Sequence, residues 1–565
     1  MPKIWLILKK EQKRFFLFLL FLMILSAALE VIGIGLLFPI LGFLSSDNIP
    51  KFFFSNLPIF NYDSKVKIII IFLLIFLFLI YLKNIFLLFF SWQEASFISN
   101  ARELLSIRLF NKYIKKDYSF HIIHNSSIFL SRITNEVSTF AVSLLAYMTI
   151  LSEFLILIFI SFFLVFIEPI GSLLIFFIMS LFSIIFYYFI SRRLKKIGMD
   201  RTVYERLRIQ KIQESLGGIR EIKLLDREDY FINDYSAVSK KNLYIGIYYQ
   251  FFNKLPKLFF ETIVLSITVF LFIFLLIQDS ENNVLISKIG IFVIAAFKLI
   301  PSINKIINSL QIIKYSTTSV KLIANEIEDN QSAQLNDFNK SITFRKSILF
   351  KDVNFRHHAK DDYLFDKINC EIKFGDVIGV VGPTGSGKST FIDLLVGFQK
   401  PTTGKVLVDN IPLLSIYDWN IKIGYVSQSV FLFDNSILAN IILDDDHKNL
   451  DLINLKKCLK IAQLEEYTNS LTDGIHTVIG EKGVRLSGGQ KQRIGIARAL
   501  YADPDLIILD EATNALDDKT EQDFFNSLFS LMKNKTIILV THKKELLKYC
   551  NKKIFINNNS VYEKL

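Results

Sequence analysis

The sequence predicts two unlike parts in one chain: an α-helical membrane domain, followed by an α/β domain. Three observations lead there. Of 565 residues, 52% are hydrophobic and 55 are phenylalanine, and mean hydropathy is +0.39. The apolar residues gather into long runs in the first half of the chain. Beyond about residue 317 those runs stop, and short β-rich stretches alternate with helical ones. A chain this apolar is not wholly soluble, and it is too rich in core-forming residues to be disordered.

Helices are expected near 15–44, 67–91, 138–167, 170–191, 256–278 and 285–308. Each run reaches the roughly 20 apolar residues that a membrane span needs. The first is too long for a signal-peptide core and reads as a retained span. Lys3, Lys9, Lys10, Lys13 and Arg14 precede it. Arg102, Arg108, Lys112, Lys115, Lys116 and Arg132 lie between spans two and three, and the segment 192–241 between spans four and five is denser still. The opposite connections, 45–66, Glu168-Pro169 and 279–284, hold few basic residues. Basic loops mark the cytoplasmic side. The reading is a multi-pass protein of the cell inner (cytoplasmic) membrane, with both termini and the α/β domain in the cytoplasm. The lipid bilayer is thus a partner. The net charge of +12 is explained by these loops, and nucleic acid is not expected.

The long cytoplasmic segments are polar but helical in pattern, so they extend spans two to five and reverse near 117–126 and 214–226. The loop 46–65 mixes aromatics such as Phe52, Phe53 and Phe54 with polar residues. That suits either an outer-interface segment or an ordinary packed loop. The domain reading is a transmembrane domain at 1–316, a linker at 317–343 and one α/β domain at 344–565. Cys370, Cys458 and Cys550 are far apart with no CxxC pair, so they read as free thiols in a reducing cytosol.

Chemistry is concentrated in the second half. Gly382-Pro383-Thr384-Gly385-Ser386-Gly387-Lys388-Ser389-Thr390 follows an apolar strand, Val377–Val381, and opens a helix. Glycines let the backbone curl so that its N–H groups face phosphates, and the helix N-terminus adds partial positive charge. Lys388 is placed to reach the β- and γ-phosphates, and Ser389 to ligate Mg²⁺. A second strand, Leu506–Asp510, ends in a carboxylate able to hold the metal, with Glu511 next to it to polarise a water.

Leu486-Ser487-Gly488-Gly489-Gln490 then resembles the signature sequence of ATP-binding cassette (ABC) proteins. Gln428, Ala515-Leu516-Asp517 and His542 resemble the Q-loop, D-loop and switch histidine of that family, and Thr477–Gly483 resembles the X-loop of its exporters. The resemblance covers the whole chain, as six spans followed by one cassette, like an exporter half-transporter. It implies ATP and Mg²⁺ as cofactors, with Glu511, His542 and Gln428 catalytic. Ser389, Gln428 and Asp510 would be the metal side. It also implies a homodimer or heterodimer in which Ser487 and Gly489 of one chain face the phosphate held by Lys388 of the other, and because this chain has every residue of the motif set a homodimer is sufficient. In the family an aromatic residue stacks on adenine about 25 residues before the phosphate loop. Here that position is His357, and Tyr363 is an alternative stacking residue.

For the cargo, ionisable residues within spans are costly and therefore functional candidates. Lys83, Lys257 and Lys298 would suit an anionic head group, although Lys83 and Lys257 could instead snorkel to the interface. Glu30, Glu153 and Glu261 are the possible counter-charges. Phe297–Ile306 and Glu30–Ile34 resemble the span-six and span-one patterns of lipid-linked oligosaccharide flippases of the PglK type, with lysine where that branch typically carries arginine. The expected function is ATP-driven flipping of an amphiphilic anionic glycolipid, such as a polyprenyl-diphosphate-linked oligosaccharide. Export of another lipid, a drug or a peptide is the alternative, although no cysteine-protease domain precedes span one as in peptide-processing exporters. A non-transporting ABC ATPase and an ATP-gated channel are the remaining rivals.

Overall fold

A computed structural model describes residues 2–35, 65–167, 169–277, 282–328, 344–356, 362–416, 419–444, 450–557 and 560–564. It forms two compact units, Met1–Lys116 with His121–Ser332, and Asp117–Phe120 with Ala333–Leu565.

The first unit is helical. After a short helix, Pro2–Ile7, its long helices are Lys10–Gly35, Lys65–Ile114, Val137–Ile167, Pro169–Gly217, Glu228–Ile277 and Asn282–Tyr315. A helix of 50 residues, such as Lys65–Ile114, is about 75 Å long, more than twice the apolar thickness of a bilayer. The excess carries the polar extensions expected from the sequence. Among the described residues, Lys10–Ile32, Leu73–Ile114, Ser126–Val165 and Phe176–Gly217 are long and apolar enough to cross a membrane. The fifth and sixth expected spans fall in the helices Glu228–Ile277 and Asn282–Tyr315, where the side chains of 274–277 and 282–298 lie outside the described residues.

Several boundaries differ from the sequence reading. The first long helix starts at Lys10, where the side chain of Gln12 accepts from the Lys9 N–H at 3.0 Å and caps the turn. The remainder of the run expected to 44, and nearly all of the loop 46–65, lie outside the described residues. Pro256 does not open a helix but sits inside one, as does Pro301. A proline removes one donor and bends a helix, and a long packed helix can continue through that loss. Residues Thr317–Glu328, expected as linker, are a helix that buries Ser319, Val320, Ile323 and Ala324. Their i, i+1, i+4 and i+5 spacing forms one face.

A buried ionic network joins these helices. Arg201 donates to Glu136 at 2.8 Å, to Thr139 at 2.5 Å and to Ser319 at 2.8 Å. Glu136 ends a π-helical turn, Arg132–Glu136, and is 1% exposed. The Arg201 guanidinium also lies over the Tyr315 ring, itself stacked on Tyr249 at 4.0 Å. The helices can meet there because residue 198 is glycine: a Cβ would lie 2.0 Å from the Tyr315 carbonyl oxygen.

The second unit holds two sheets. Strands β1 (Ser347–Phe355), β2 (Phe365–Lys373), β4 (Thr403–Val408) and β5 (Ile411–Pro412) form an antiparallel sheet in the order β2-β1-β4-β5. Strands β3 (Val377–Val381), β6 (Ile423–Val426), β7 (Leu506–Asp510), β8 (Thr536–Val540), β9 (Lys552–Asn557) and β10 (Ser560–Lys564) form the other, in the order β10-β9-β3-β8-β7-β6. All its pairings are parallel except β10 with β9. Both faces are covered. Leu506 and Ile508 of β7 join one apolar cluster while Ile507 and Leu509 join another, the alternation expected of a strand between two layers. The three cysteines are free thiols, with Cys370 and Cys458 buried. Within this unit the Tyr118 ring rests on Phe398 at 4.7 Å, and Lys400 pairs with Asp117 at 2.8 Å.

Removing one partner of a buried ion pair costs about 3–5 kcal/mol, whereas replacing both by apolar groups is often neutral. Arg201→Met should therefore lower the thermal unfolding midpoint of the detergent-purified protein by several degrees. The double variant Glu136→Leu/Arg201→Met should recover most of that loss.

Candidate nucleotide site

Four adjacent strands, β3, β8, β7 and β6, run parallel and end on one edge of the sheet. That edge is where ligands bind in open α/β sheets. The phosphate loop follows β3, His542 follows β8, Asp510 and Glu511 end β7, and Gln428 follows β6.

The loop leads into the helix Lys388–Val396, whose N-cap is Gly387 at φ +98°, with no side chain capping its first N–H groups. Lys388 is buried and folds back, its Nζ donating to the carbonyls of Gly382 and Pro383 at 2.9 and 3.0 Å. The Ser386 Oγ is buried without a hydrogen-bond partner. The loop is tight at Gly382, where a Cβ would lie 2.4 Å from the Ile556 carbonyl oxygen and 2.6 Å from Ser386 Oγ. Thr384, Gly385 and Ser389 are exposed along the loop, and Thr390 is half-buried. The result is an exposed backbone concavity with a buried ammonium beneath it, a shape suited to an anion.

Glu511 collects the other groups. Its backbone takes φ +51° and its N–H donates to the Val540 carbonyl at 3.0 Å, which turns the side chain out of β7. Gln428 Nε2 donates to Glu511 Oε2 at 2.8 Å, and Asn514 Nδ2 donates to the same oxygen at 3.0 Å. His542 Nε2 lies 3.2 Å from Glu511 Oε1. Three sequence-predicted residues, Glu511, Gln428 and His542, are thus within direct hydrogen-bonding reach. Asn514 was not singled out in the sequence. Its signal is its place three residues after Glu511, in the same turn.

Asp510 is buried, and its Oδ2 accepts from the Tyr425 phenol at 3.2 Å. Burial holds the Asp510 carboxyl above the usual range; neighbouring Glu511 pushes the same way, while the Tyr425 bond and Lys388 oppose. Burial and the Asp510 charge also push Asp393, on the phosphate-loop helix, up to about 6. Mg²⁺ fits this donor set. The Ser389 hydroxyl, the Asp510 carboxylate and the Gln428 carbonyl are hard oxygen donors, and a cation would offset the crowded negative charge of Asp393, Asp510 and Glu511.

The signature residues form a separate feature. Ser487 caps the helix Gly488–Tyr501 through a reciprocal bond pair with Gln490, at 3.3 and 2.8 Å. Ser487 and Gly488 are exposed, and Leu486, Gly489 and Gln490 are half-buried. Among the described residues, no hydrogen bond joins them to the phosphate loop. His357 lies outside the described residues, whereas Tyr363 is described, with the Arg356 guanidinium 5.3 Å over its ring.

Of the candidate cargo lysines, Lys83 and Lys257 do not share one environment. Lys83 pairs with Glu30 at 2.9 Å, both largely buried. The same pairing rule holds for Glu153, which takes Lys305 at 2.5 Å. Lys257 is exposed in this single chain, and the Lys298 side chain lies outside the described residues.

This fold and site define a membrane-helix unit joined to an ATP-binding cassette. Residues 365–514 match the family model for the ABC transporter, and residues 16–299 match that for the ABC transporter transmembrane region. The chain belongs to the ABC transporter family. It is 29% identical over 381 residues to an ATP-dependent lipid A-core flippase of Ralstonia nicotianae, covering 66% of this chain and 64% of the relative. It is 28% identical over 381 residues to the protein of that name from Cupriavidus pinatubonensis, with the same coverage. The chain therefore spans just under two thirds of the length of these relatives. Its fold matches that of a bacterial Atm1-family ABC exporter solved with ATP bound, with a TM-score of 0.82 and 17% identity, covering 98% of this chain and 95% of the other.

A methyl group at position 382 has no room. Gly382→Ala should weaken ATP binding by at least about tenfold, the equivalent of about 1.4 kcal/mol. Fluorescent-nucleotide titration checks this, with Gly217→Ala, outside the loop and with nothing within 4 Å of an added Cβ, as the comparison.

Proposed function

We propose that the chain is one half of an ATP-driven flippase that works as a homodimer in the cell inner membrane, with two ATP sites shared head to tail. The observation that carries the ATPase reading is Glu511, a carboxylate beside Asp510 with Gln428, Asn514 and His542 gathered on its oxygens. Such a group can orient and polarise a water for attack on a γ-phosphate. Lys388 and the loop N–H groups would cradle the phosphates. When bound, Mg²⁺ supplies charge neutralisation between the phosphates, with Ser389, Asp510 and Gln428 to hold it. His542 is placed to hold the water or the phosphate edge opposite Glu511. In the partner copy Ser487 and Gly489 would close the site. Closure of the cassettes would be carried to the spans by the reversals near 117–126 and 214–226.

For the cargo, an amphiphilic lipid with an anionic head is the reading we favour, and within that class a polyprenyl-diphosphate-linked oligosaccharide. Its support is the span-one and span-six resemblance together with the basic residues Lys257 and Lys298. Lys83 contributes less, because Glu30 already meets its charge. A second reading is a phosphorylated lipid of another kind, favoured by relatives described as lipid A-core flippases. Both cargoes place phosphate next to a lipid anchor and differ in the glycan and the chain.

Reconstitution into proteoliposomes separates them. Wild type with ATP should translocate a fluorescent diphosphate-linked glycolipid. Glu511→Gln should lose hydrolysis by about 10²–10⁴-fold while still binding ATP, and lose translocation with it. Lys298→Ala should hydrolyse ATP but translocate slowly. A wild type that hydrolyses ATP and moves lipid A but not the polyprenyl glycolipid would favour the second reading. A glycolipid flipped at full rate by Lys298→Ala would remove that lysine from the cargo path.

A further inference from the structure

We propose that Tyr425 is a positioning residue for the metal-side carboxylate: its phenol commits one oxygen of Asp510 to the protein and leaves the other to the magnesium ion of a bound nucleotide. This rests on the ATPase reading above.

The argument begins with strand register. In the parallel pair β6–β7, Tyr425 lies opposite Ile508 and Val426 opposite Leu509. Side chains alternate faces along a strand, so Tyr425, Ile508 and Asp510 share one face. Packing agrees: Tyr425 and Ile508 belong to one apolar cluster, and Val426 and Leu509 to the other. Asp510 is two residues beyond Ile508, roughly 6.6 Å along the strand. A tyrosine laid along the sheet spans that distance. Its ring packs with the core and its hydroxyl ends 3.2 Å from Asp510 Oδ2. A shorter hydroxyl residue would not reach, and phenylalanine would fill the space without donating.

The bond has work to do because Asp510 is crowded. It is buried, next in sequence to Glu511, and within electrostatic reach of Asp393. Three carboxylates near one another repel, which favours rotation of an unheld side chain away. A neutral donor on Oδ2 holds that oxygen without adding a competing charge. It also fixes the plane of the carboxylate, as outer hydrogen bonds do for metal-binding groups generally.

The test uses the full chain in nanodiscs, as wild type, Tyr425→Phe and Tyr425→Leu. Trinitrophenyl-ATP binding is measured in EDTA. Mn²⁺ binding is measured by electron paramagnetic resonance with a non-hydrolysable ATP analogue, and hydrolysis is followed against Mg²⁺ concentration. Tyr425→Phe should keep the wild-type nucleotide affinity in EDTA. Its Mn²⁺ affinity should fall by about tenfold, and its Mg²⁺ midpoint for hydrolysis should rise by the same factor. Tyr425→Leu should weaken Mn²⁺ binding at least as much. Wild-type Mn²⁺ affinity in both variants would overturn the proposal. So would a Tyr425→Phe variant that loses nucleotide affinity in EDTA to the same extent, since that marks a packing role only. Failure of the ATPase reading itself would show in the wild type, as nucleotide binding indifferent to metal and no hydrolysis.

Discussion

Parallel strands that pair side by side must end on the same edge, and in the second unit that constraint builds the site. Neighbouring strands lie about 4.8 Å apart. Residues that follow β6, β7 and β8 are therefore delivered within one or two side-chain lengths of each other. Gln428 and His542, 114 positions apart by number, meet on the two oxygens of Glu511 because β7 lies between their strands. The phosphate loop follows β3 on the far side of β8. Apolar cover on both faces keeps those strands in register, so the core clusters fix the chemistry as much as they fix stability.

The first unit obeys a different constraint. Charge placed among apolar helices must find its opposite, and the described structure shows this repeatedly: Glu30 with Lys83, Glu153 with Lys305, Glu136 with Arg201. The pairs join helices distant in sequence. Arg201 also holds Ser319, and with it the helix Thr317–Glu328 near the end of the membrane unit. A lysine already paired is a weaker candidate for recognising cargo. That lowers the weight on Lys83.

Much of this was legible in the sequence. The phosphate loop and the Asp510-Glu511 pair are contiguous motifs in the right strand context, and the structure places both at strand ends. Helix existence was legible from apolar runs, and the helical pattern of the polar segments showed that Lys65–Ile114 and Pro169–Gly217 continue past the lipid. The apolar run begins at Pro256, but the helix continues through that residue from Glu228, because a long packed helix tolerates the lost donor. Residues 317–328 look like a charged connector until the one buried face is traced. Asn514 and Tyr425 carry no motif of their own. Only strand register and turn geometry show that they touch Glu511 and Asp510.

In the proposed dimer the signature residues of one copy would complete the other's site. Ser487 and Gly488 are exposed at the start of their helix, and among the described residues they bond only within it and not to the phosphate loop. The central claim is that a second copy completes each site. Native mass spectrometry of the detergent-solubilised Glu511→Gln chain with Mg-ATP tests it most directly. The account predicts a species of two chains carrying two nucleotides. Single chains each retaining one ATP, with no paired species at any ATP concentration, would contradict it.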